Sequence, residues 1–335
     1  MGKAVRLADI GKALGISAVS VSKALAGKPG VSEDMRRKVV KLAREMGYEG
    51  VKSRAEAEPT GNIGVLVARR FFEENSFYFD LYRQITLAVG AAGCSCILEV
   101  IQPEMERSGD MPVMLTEHKV DGAILMGDLA EDYFSRLENC GIPCILLDFQ
   151  RVETKWDCVV GDNLNGGYLL TRHLLQTGHT KIGYVGSIFA TSSIMSRYLG
   201  YHKALQLAGI EPRTDWRLED RDEDGNFITP VMPSEMPEAF VCNNDEVAMK
   251  LIEQLRERGC RVPEDVAVCG YDDSRFAQLS DPPLTTYRVD IGRMAKIAVD
   301  RLAERFSQPE YGPLIFTVPG QIVIRQSSGA AKKLT

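Results

Sequence analysis

From residue 6 to residue 47 apolar side chains recur every three or four positions, the spacing of helices with one buried face. Leu7, Ile10, Ala13 and Leu14 make a first stripe, ended by Gly15, a residue suited to the left-handed cap. Ser17 offers a hydroxyl to cap a second helix, Ala18–Leu25, whose inner face is Val21, Ala24 and Leu25. Gly27, Pro29 and Gly30 forbid its continuation. Ser32 caps a third helix, with Glu33 and Asp34 favourable in the first turn. Met35, Val39, Leu42, Ala43 and Met46 form its stripe, and Gly47 stops it.

Residues 48–61 hold few large apolar groups and read as a linker. From Asn62 the pattern changes to short apolar strands, "IGVLVA", "CSCILEVI", "GAILMG", "PCILLDF", "CVVG", "KIGYVGS", "EAFVCN" and "DVAVCGYD". Helical stretches at 80–92, 166–178, 197–208 and 245–259 lie between them. Strand–helix alternation with apolar strands predicts an α/β fold of parallel sheets covered on both faces. The stretch 62–325 is too long for one small doubly wound sheet and is divided into two lobes.

Charge separates the two parts further. Residues 1–58 carry 12 Lys and Arg against seven Asp and Glu, a net of +5, and the rest of the 335-residue chain carries −11. A cationic head on an acidic body fits a head that alone meets a polyanion. The eight cysteines form no C-x-x-C pair and mostly lie in apolar runs, as small hydrophobes of a reducing compartment do. The four histidines have no metal-ligand spacing. No metal and no cofactor are expected. The N-terminus lacks the apolar region of a secretory signal, and no apolar run is long enough to span a bilayer, so a cytoplasmic location is expected. "EDRDEDGN" at 219–226 lacks the last ligand of a calcium loop and reads as a solvated turn. No G-x-S-x-G or G-x-x-x-x-G-K-[ST] motif points to an enzyme.

A short helix, a glycine turn and a second capped helix spell a helix-turn-helix, whose second helix enters the DNA major groove. Ala18 and Val19 can touch thymine methyls there. Ser17, Ser20 and Ser22 can bond phosphates or base edges, and Lys23 can reach a guanine or a phosphate. The alternative is a small helical cap without a ligand.

"VRLADIGKALGISAVSVSKALAGKPGVSEDMRRKVVKLAREMGYEG" resembles the N-terminal domain of the LacI/GalR family of bacterial transcriptional regulators. Asp9, Ile10, Gly15, Ile16, Ser17, Val21, Ser22, Lys23, Leu25, Val31, Ser32, Arg36, Val39, Ala43, Gly47 and Tyr48 match that family's spacing. The resemblance continues to about Arg325. It implies that Ala18, Val19 and Lys23 read bases and that Ser17, Ser20 and Ser22 lie near the backbone. Arg6, Lys28, Ser32 and Arg54 are the further candidates for DNA contact. Ser20 and Lys23 stand where the family mostly has Thr and Arg, and lysine gives no bidentate fork to guanine. The family's minor-groove leucine is missing, with Arg54, Ala55, Glu56 and Ala57 in its place. Less reliance on minor-groove wedging is therefore expected.

The resemblance implies a helix-turn-helix head at 1–48, a linker at 49–61 and a periplasmic-binding-protein-like body at 62–325. Lobe 1 would take 62–160 and 288–318, and lobe 2 161–287 and 319–328. Ligand would sit between the lobes, at the carboxyl ends of strands, as open parallel sheets favour. "SSIMSRYLGYHKAL", "VCNNDEVA" and "VAVCGYDD" resemble family elements and point to Arg197, Asn244 and Asp272. Arg69, Phe77, Tyr78, Asp128, Asp148, Asp162 and Ser193 follow strands and complete the candidates, although each carboxylate or aromatic also fits a structural place. Charged groups of this kind can bracket a sugar diol. The expected protein is a dimeric repressor of carbohydrate-utilisation genes that binds a near-palindromic operator under control of a small-molecule effector, a sugar. A nucleobase- or nucleoside-responsive regulator and a cytoplasmic sugar-binding protein are the alternatives.

Overall fold

A computed structural model describes residues 5–25, 30–46, 48, 60–72, 76–222, 225–307 and 312–329. The chain divides into two compact units, Met1–Asn62 with Met111–Asp121, and Ile63–Asp110 with Gly122–Thr335.

The first unit opens with α1 (Leu7–Leu14), α2 (Ala18–Leu25) and α3 (Glu33–Glu45). Ile10, Val21, Ala24, Val39 and Ala43 are fully buried at their meeting point, ringed by Leu7, Leu14, Met35 and Leu42. The caps form where the sequence predicts them. Gly15 holds φ +70°, Ser17 Oγ accepts from the Ser20 N–H at 3.0 Å, and Ser32 Oγ accepts from that of Met35 at 3.3 Å. Thr60 and Gly61 donate their backbone N–H groups to the Asp121 carboxylate at 2.9 and 2.8 Å. Lys28, Arg54 and the linker residues 49–59 lie outside the described residues.

The second unit begins with β1 (Asn62–Ala68), α4 (Arg69–Phe72), α5 (Ser76–Ala91), β2 (Ser95–Ile101) and α6 (Pro103–Ser108). The chain passes through α7 (Val113–Thr116) of the first unit and returns as β3 (Gly122–Met126), α8 (Glu131–Glu138), β4 (Cys144–Leu147) and β5 (Asp157–Gly161). Next come α9 (Asn163–Gln176), β6 (Ile182–Val185), α10 (Ser192–Leu207), β7 (Arg217–Leu218), β8 (Ala239–Cys242), α11 (Asp245–Glu257), β9 (Ala267–Cys269) and α12 (Arg275–Leu279). The chain then crosses back through β10 (Thr286–Arg288), α13 (Ile291–Ser307), β11 (Ile315–Val318) and β12 (Gln321–Val323).

The strands form a six-stranded sheet, β11-β5-β4-β3-β1-β2, and a four-stranded sheet, β7-β6-β8-β9, with β10 and β12 paired separately. The β6–β7, β6–β8 and β8–β9 pairs are all parallel, as are β1–β3, β3–β4, β4–β5 and β5–β11. Val65, Val67, Ile124, Ile145 and Leu147 are buried in the same core as Leu81, Ile85 and Val89 of α5 and Met294, Ala298 and Leu302 of α13. This is the α/β architecture that the apolar runs predict.

Three helices start earlier than their periodicity shows. α5 already includes Phe77 and Tyr78, α9 starts at Asn163 with Asp162 as its cap, and α10 starts at Ser192 under Thr191. At α9 the cap and first turn are largely polar and carry no apolar stripe, so periodicity places the start one turn late, and at α5 the consecutive aromatics Phe77, Tyr78 and Phe79 show no helical period. Arg197 consequently stands in the second turn of α10 and not at its beginning.

α9 and α10 pack backbone against backbone. A Cβ on Gly167 would sit 2.1 Å from the Arg197 carbonyl oxygen, and one on Gly200 would sit 2.0 Å from that of Leu164. Both glycines thereby set the depth of Arg197. Gly200→Ala is expected to lower stability by about 1–3 kcal/mol, since an overpacked methyl here meets backbone that cannot swing away. Urea denaturation of both proteins checks this, and equal midpoints would show that the helices part without cost.

Candidate DNA-reading helix and effector cavity

On the head, α2 turns Val21 and Ala24 inward and leaves Ala18, Val19, Ser22 and Lys23 exposed. Val19 is 64% exposed. Ser17 is committed to capping, and its Oγ lies 2.9 Å from that of Ser20. Arg6 caps α1 through its backbone N–H to Asp9 Oδ2 at 2.8 Å, which leaves its exposed side chain beside the helix start. Ser32 is exposed and caps α3. The outer face of α2 thus offers two small apolar groups, a hydroxyl and an ammonium.

In the second unit a cavity of about 300 Å³ opens where chain segments leave the carboxyl ends of both sheets. Arg197 lies at its floor, 7% exposed. Its Nε donates to Asn163 Oδ1 at 2.8 Å and its Nη1 to the Asn243 carbonyl at 2.6 Å. The guanidinium stacks 3.8 Å from the centroid of the Tyr271 ring. Its Nη2 stands 3.6 Å from Asp272 Oδ1, an ion pair too long for a hydrogen bond. A buried cation held by this many groups is well compensated.

Two carboxylates face this cation, one from each sheet. Asp148 follows β4 and Asp272 follows β9, and both take left-handed backbone, at φ +69° and +102°. Non-glycine residues there cost about 1–3 kcal/mol each and persist only where their surroundings impose them. Tyr78 donates its hydroxyl to Asp148 Oδ2 at 3.0 Å. Burial pushes the Asp148 carboxyl up to about 6, with Arg197 and the Tyr78 hydroxyl pulling it down. Burial raises Asp272 well above the usual carboxylate range, opposed by Arg197 and reinforced by Asp245 and Asp148. Asp272 Oδ1 and Asn243 Oδ1 are buried without a hydrogen-bond partner among the described residues.

Of the ligand candidates from the sequence, Phe77, Tyr78, Asp148, Ser193, Arg197, Asn244 and Asp272 line this cavity together. Three others do not. The Asp128 carboxylate takes the Arg151 guanidinium at 2.9 and 2.7 Å. Asp162 caps α9 through Asn165, and Arg69 reaches out to Gln102. Following a strand was the only criterion that selected them, and a residue in that place also caps helices and ties loops. Asn244 lines the cavity while its Oδ1 caps α11 through the Val247 N–H at 2.8 Å.

Of the stretch 219–226, read as a solvated turn, Glu219, Asp222, Gly225 and Asn226 are indeed exposed, but its first part also builds the cavity wall. Asp220 is 1% exposed, Arg221 and Asp222 line the cavity, and Arg221 bridges Phe227 in antiparallel fashion. Its acidic composition hid a buried network. Asn243 and the exposed ring of Phe189 were also missed, and nothing in their local spacing marks them.

Residues 171–328 match the family model of a periplasmic binding protein-like domain. The chain is similar to the HTH-type transcriptional repressor PurR of Vibrio vulnificus, 30% identical over 332 residues that cover 95% of this chain and 97% of that protein. The chain belongs to the LacI/GalR family of bacterial transcriptional regulators. Among solved structures it resembles a LacI family regulator of Enterococcus faecium with bound ribose, with a TM-score of 0.67 and 26% identity over 81% of this chain and all of that one. It also shares the fold of a lac repressor dimer bound to operator and the anti-inducer ONPF, with a TM-score of 0.66 and 24% identity over 98% of this chain and all of that one. LacI/GalR repressors bind operator DNA and small-molecule effectors and act as dimers, and the matched relatives are regulators and not enzymes. No helix among the described residues is long and apolar enough to cross a membrane.

Removing the guanidinium tests the electrostatics of the floor. Arg197→Met leaves two buried carboxyls without their cation and is expected to cost about 3–5 kcal/mol at pH 7.5. Both carboxyls already titrate above their unfolded values, so in the variant the folded state takes up protons more readily than the unfolded chain. The deficit must therefore shrink as pH falls toward 5.5. Urea unfolding at the two pH values checks this, and a deficit that does not change with pH would count against the ion pairing.

Proposed function

We propose that this chain is a cytoplasmic, dimeric repressor of carbohydrate-utilisation genes that reads a near-palindromic operator and is controlled by a sugar bound between its two sheets. The observation that carries the sugar reading is the Arg197 floor, with one carboxylate presented to it from each sheet and aromatic rings on the walls. Charged acceptors and donors of this kind take the vicinal hydroxyls of a sugar in charge-assisted hydrogen bonds, while Phe77 and Tyr78 cover its apolar face. The ribose-bound relative supports the same reading. The exposed Phe189 ring and Phe227 on the cavity wall would suit the flat face of a nucleobase, which keeps that alternative in the test. Arg197, Asp148, Asp272, Asn244 and Ser193 are the proposed polar contacts.

At the other end, residues 1–48 read DNA and 49–61 connect them to the body. Ala18, Val19 and Lys23 take the base edges. Arg6, Ser17, Ser20, Ser22, Lys28 and Ser32 take the backbone, and Arg54 approaches DNA from the linker. The effector acts by stabilising one arrangement of the lobes over another by about 1–3 kcal/mol, and the dimer passes this difference to the spacing of its two heads.

A thermal-shift screen with sugars and nucleosides tests the effector class, because a ligand of the folded state raises the melting temperature by mass action. Stabilisation by nucleosides alone would replace the sugar reading. Sugar affinity is expected to fall as pH drops through about 6, because hydroxyls donate to the ionised Asp148 and a protonated carboxyl must first lose its proton. Calorimetric titrations at pH 7.5 and 5.5 read this out, and stronger binding at the lower pH would contradict it. Lys23→Ala is expected to weaken operator binding by about 1–3 kcal/mol and to change non-specific binding much less. Anisotropy titrations with operator and random duplexes separate the two effects, and equal losses on both would make Lys23 a phosphate contact.

A further inference from the structure

Three arginines line the cavity, and they differ in what remains of their hydrogen-bonding edge. Arg197 has spent its Nε and Nη1 on Asn163 and Asn243. Arg70 has spent Nη1 on Glu106 and Nη2 on the Asp128 carbonyl. Arg221 gives only Nη1, to Asp220 Oδ2 at 2.9 Å, and its guanidinium rests 4.6 Å from the centroid of the Phe227 ring. Among the described residues nothing accepts from Arg221 Nε or Nη2, neither atom is fully buried, and the residue lines the cavity. These two N–H groups form the parallel fork that matches the two oxygens of a carboxylate or phosphate.

The fork is held in place from behind. Asp220 accepts from the Ser187 N–H at 2.6 Å and from Asn243 Nδ2 at 2.6 Å in addition to Arg221. Ser187 Oγ accepts the backbone N–H groups of Asp220 and Arg221 and donates to the Arg221 carbonyl. These bonds fix a side chain that would otherwise sample many rotamers.

Sheet order adds a direction. Asp272 follows β9 and Arg221 follows β7, the two edges of the four-stranded sheet. Three strand spacings, about 14 Å at the usual inter-strand distance, separate the two strands, while the side chains beyond their ends come close enough for Arg221 to act on the Asp272 carboxyl. Asp148 leaves β4 and Arg70 leaves β1, two strands apart in the six-stranded sheet. Both sheets therefore place a carboxylate toward one end of the series and an arginine toward the other.

We propose that the effector is an anionic sugar, with hydroxyls at the Asp148–Asp272 end and a carboxylate or phosphate taken by the Nε/Nη2 fork of Arg221. This rests on the sugar reading above and specifies it. Arg221 is then the residue that separates a sugar acid or sugar phosphate from the neutral parent.

The test is calorimetric titration of the full chain with matched sets: glucose, glucuronate and glucose 6-phosphate, and the galactose and ribose counterparts. In the set that binds, the anionic member is expected to bind more than tenfold tighter than its neutral parent. The uronate and phosphate arms show which anion is meant. Arg221→Gln should remove that advantage and change affinity for the neutral parent less than threefold, while Arg221→Lys, which keeps the charge and loses the fork, should fall between. Unfolding midpoints of both variants at the wild-type value show that the loss is one of recognition. Tightest binding of the neutral parent, or equal losses for both members in Arg221→Gln, overturns the anionic effector and leaves the sugar reading standing. Binding of nucleosides and of no sugar overturns both.

Discussion

A guanidinium cannot be taken out of water unless its donors and its charge are met elsewhere, and the floor of the cavity is arranged around that requirement. Arg197 reaches Asn163 at the start of α9, the Asn243 carbonyl beyond β8, Asp272 beyond β9 and the face of Tyr271. These partners come from three separate segments, so satisfying one side chain fixes the relative placement of all three against α10. The helix that carries Arg197 can lie this deep because Gly167 and Gly200 let α9 and α10 meet through their backbones. Loss of either the glycines or the cation would be felt throughout the site.

The same requirement leaves the cavity electrically unfinished. The Arg197 guanidinium stands against two buried carboxyls, both raised above their ordinary range, and two buried oxygens have no hydrogen-bond partner among the described residues. A ligand that supplies hydroxyl donors to these carboxyls relieves the cost of their burial. Because Asp148 and Asp272 belong to different sheets, the relief is greatest when the two are drawn onto one ligand. That is the differential interaction a ligand needs in order to shift a conformational equilibrium.

Much of this was legible in the sequence, for physical reasons that differ along the chain. The inner strands of both sheets are short apolar runs buried on both faces, which few other structures tolerate, and the head announces itself through Gly15, Ser17 and Ser32 at its caps. Arg197, Asn244 and Asp272 sit in patterns with distinctive spacing. Arg69, Asp128 and Asp162 were selected only for following strands, and their hydrogen bonds to Gln102, Arg151 and Asn165 show how easily such residues serve the scaffold. Arg221 was hidden for the opposite reason. Its stretch is dense in charge, which usually means solvent, yet Asp220 is buried by partners far away in sequence, at Ser187 and Asn243. Composition cannot reveal a network whose members are more than twenty residues apart.

On the proposed function, occupancy of the cavity and occupancy of DNA are linked through one protein. Linkage is reciprocal: if the effector changes operator affinity by some factor, the operator must change effector affinity by the same factor. The direct measurement is the effector dissociation constant of the full-length dimer, determined with and without saturating operator at one salt concentration. A shift equal to the effector's own effect on operator affinity is the predicted result. An effector constant that is the same with and without operator would contradict the account.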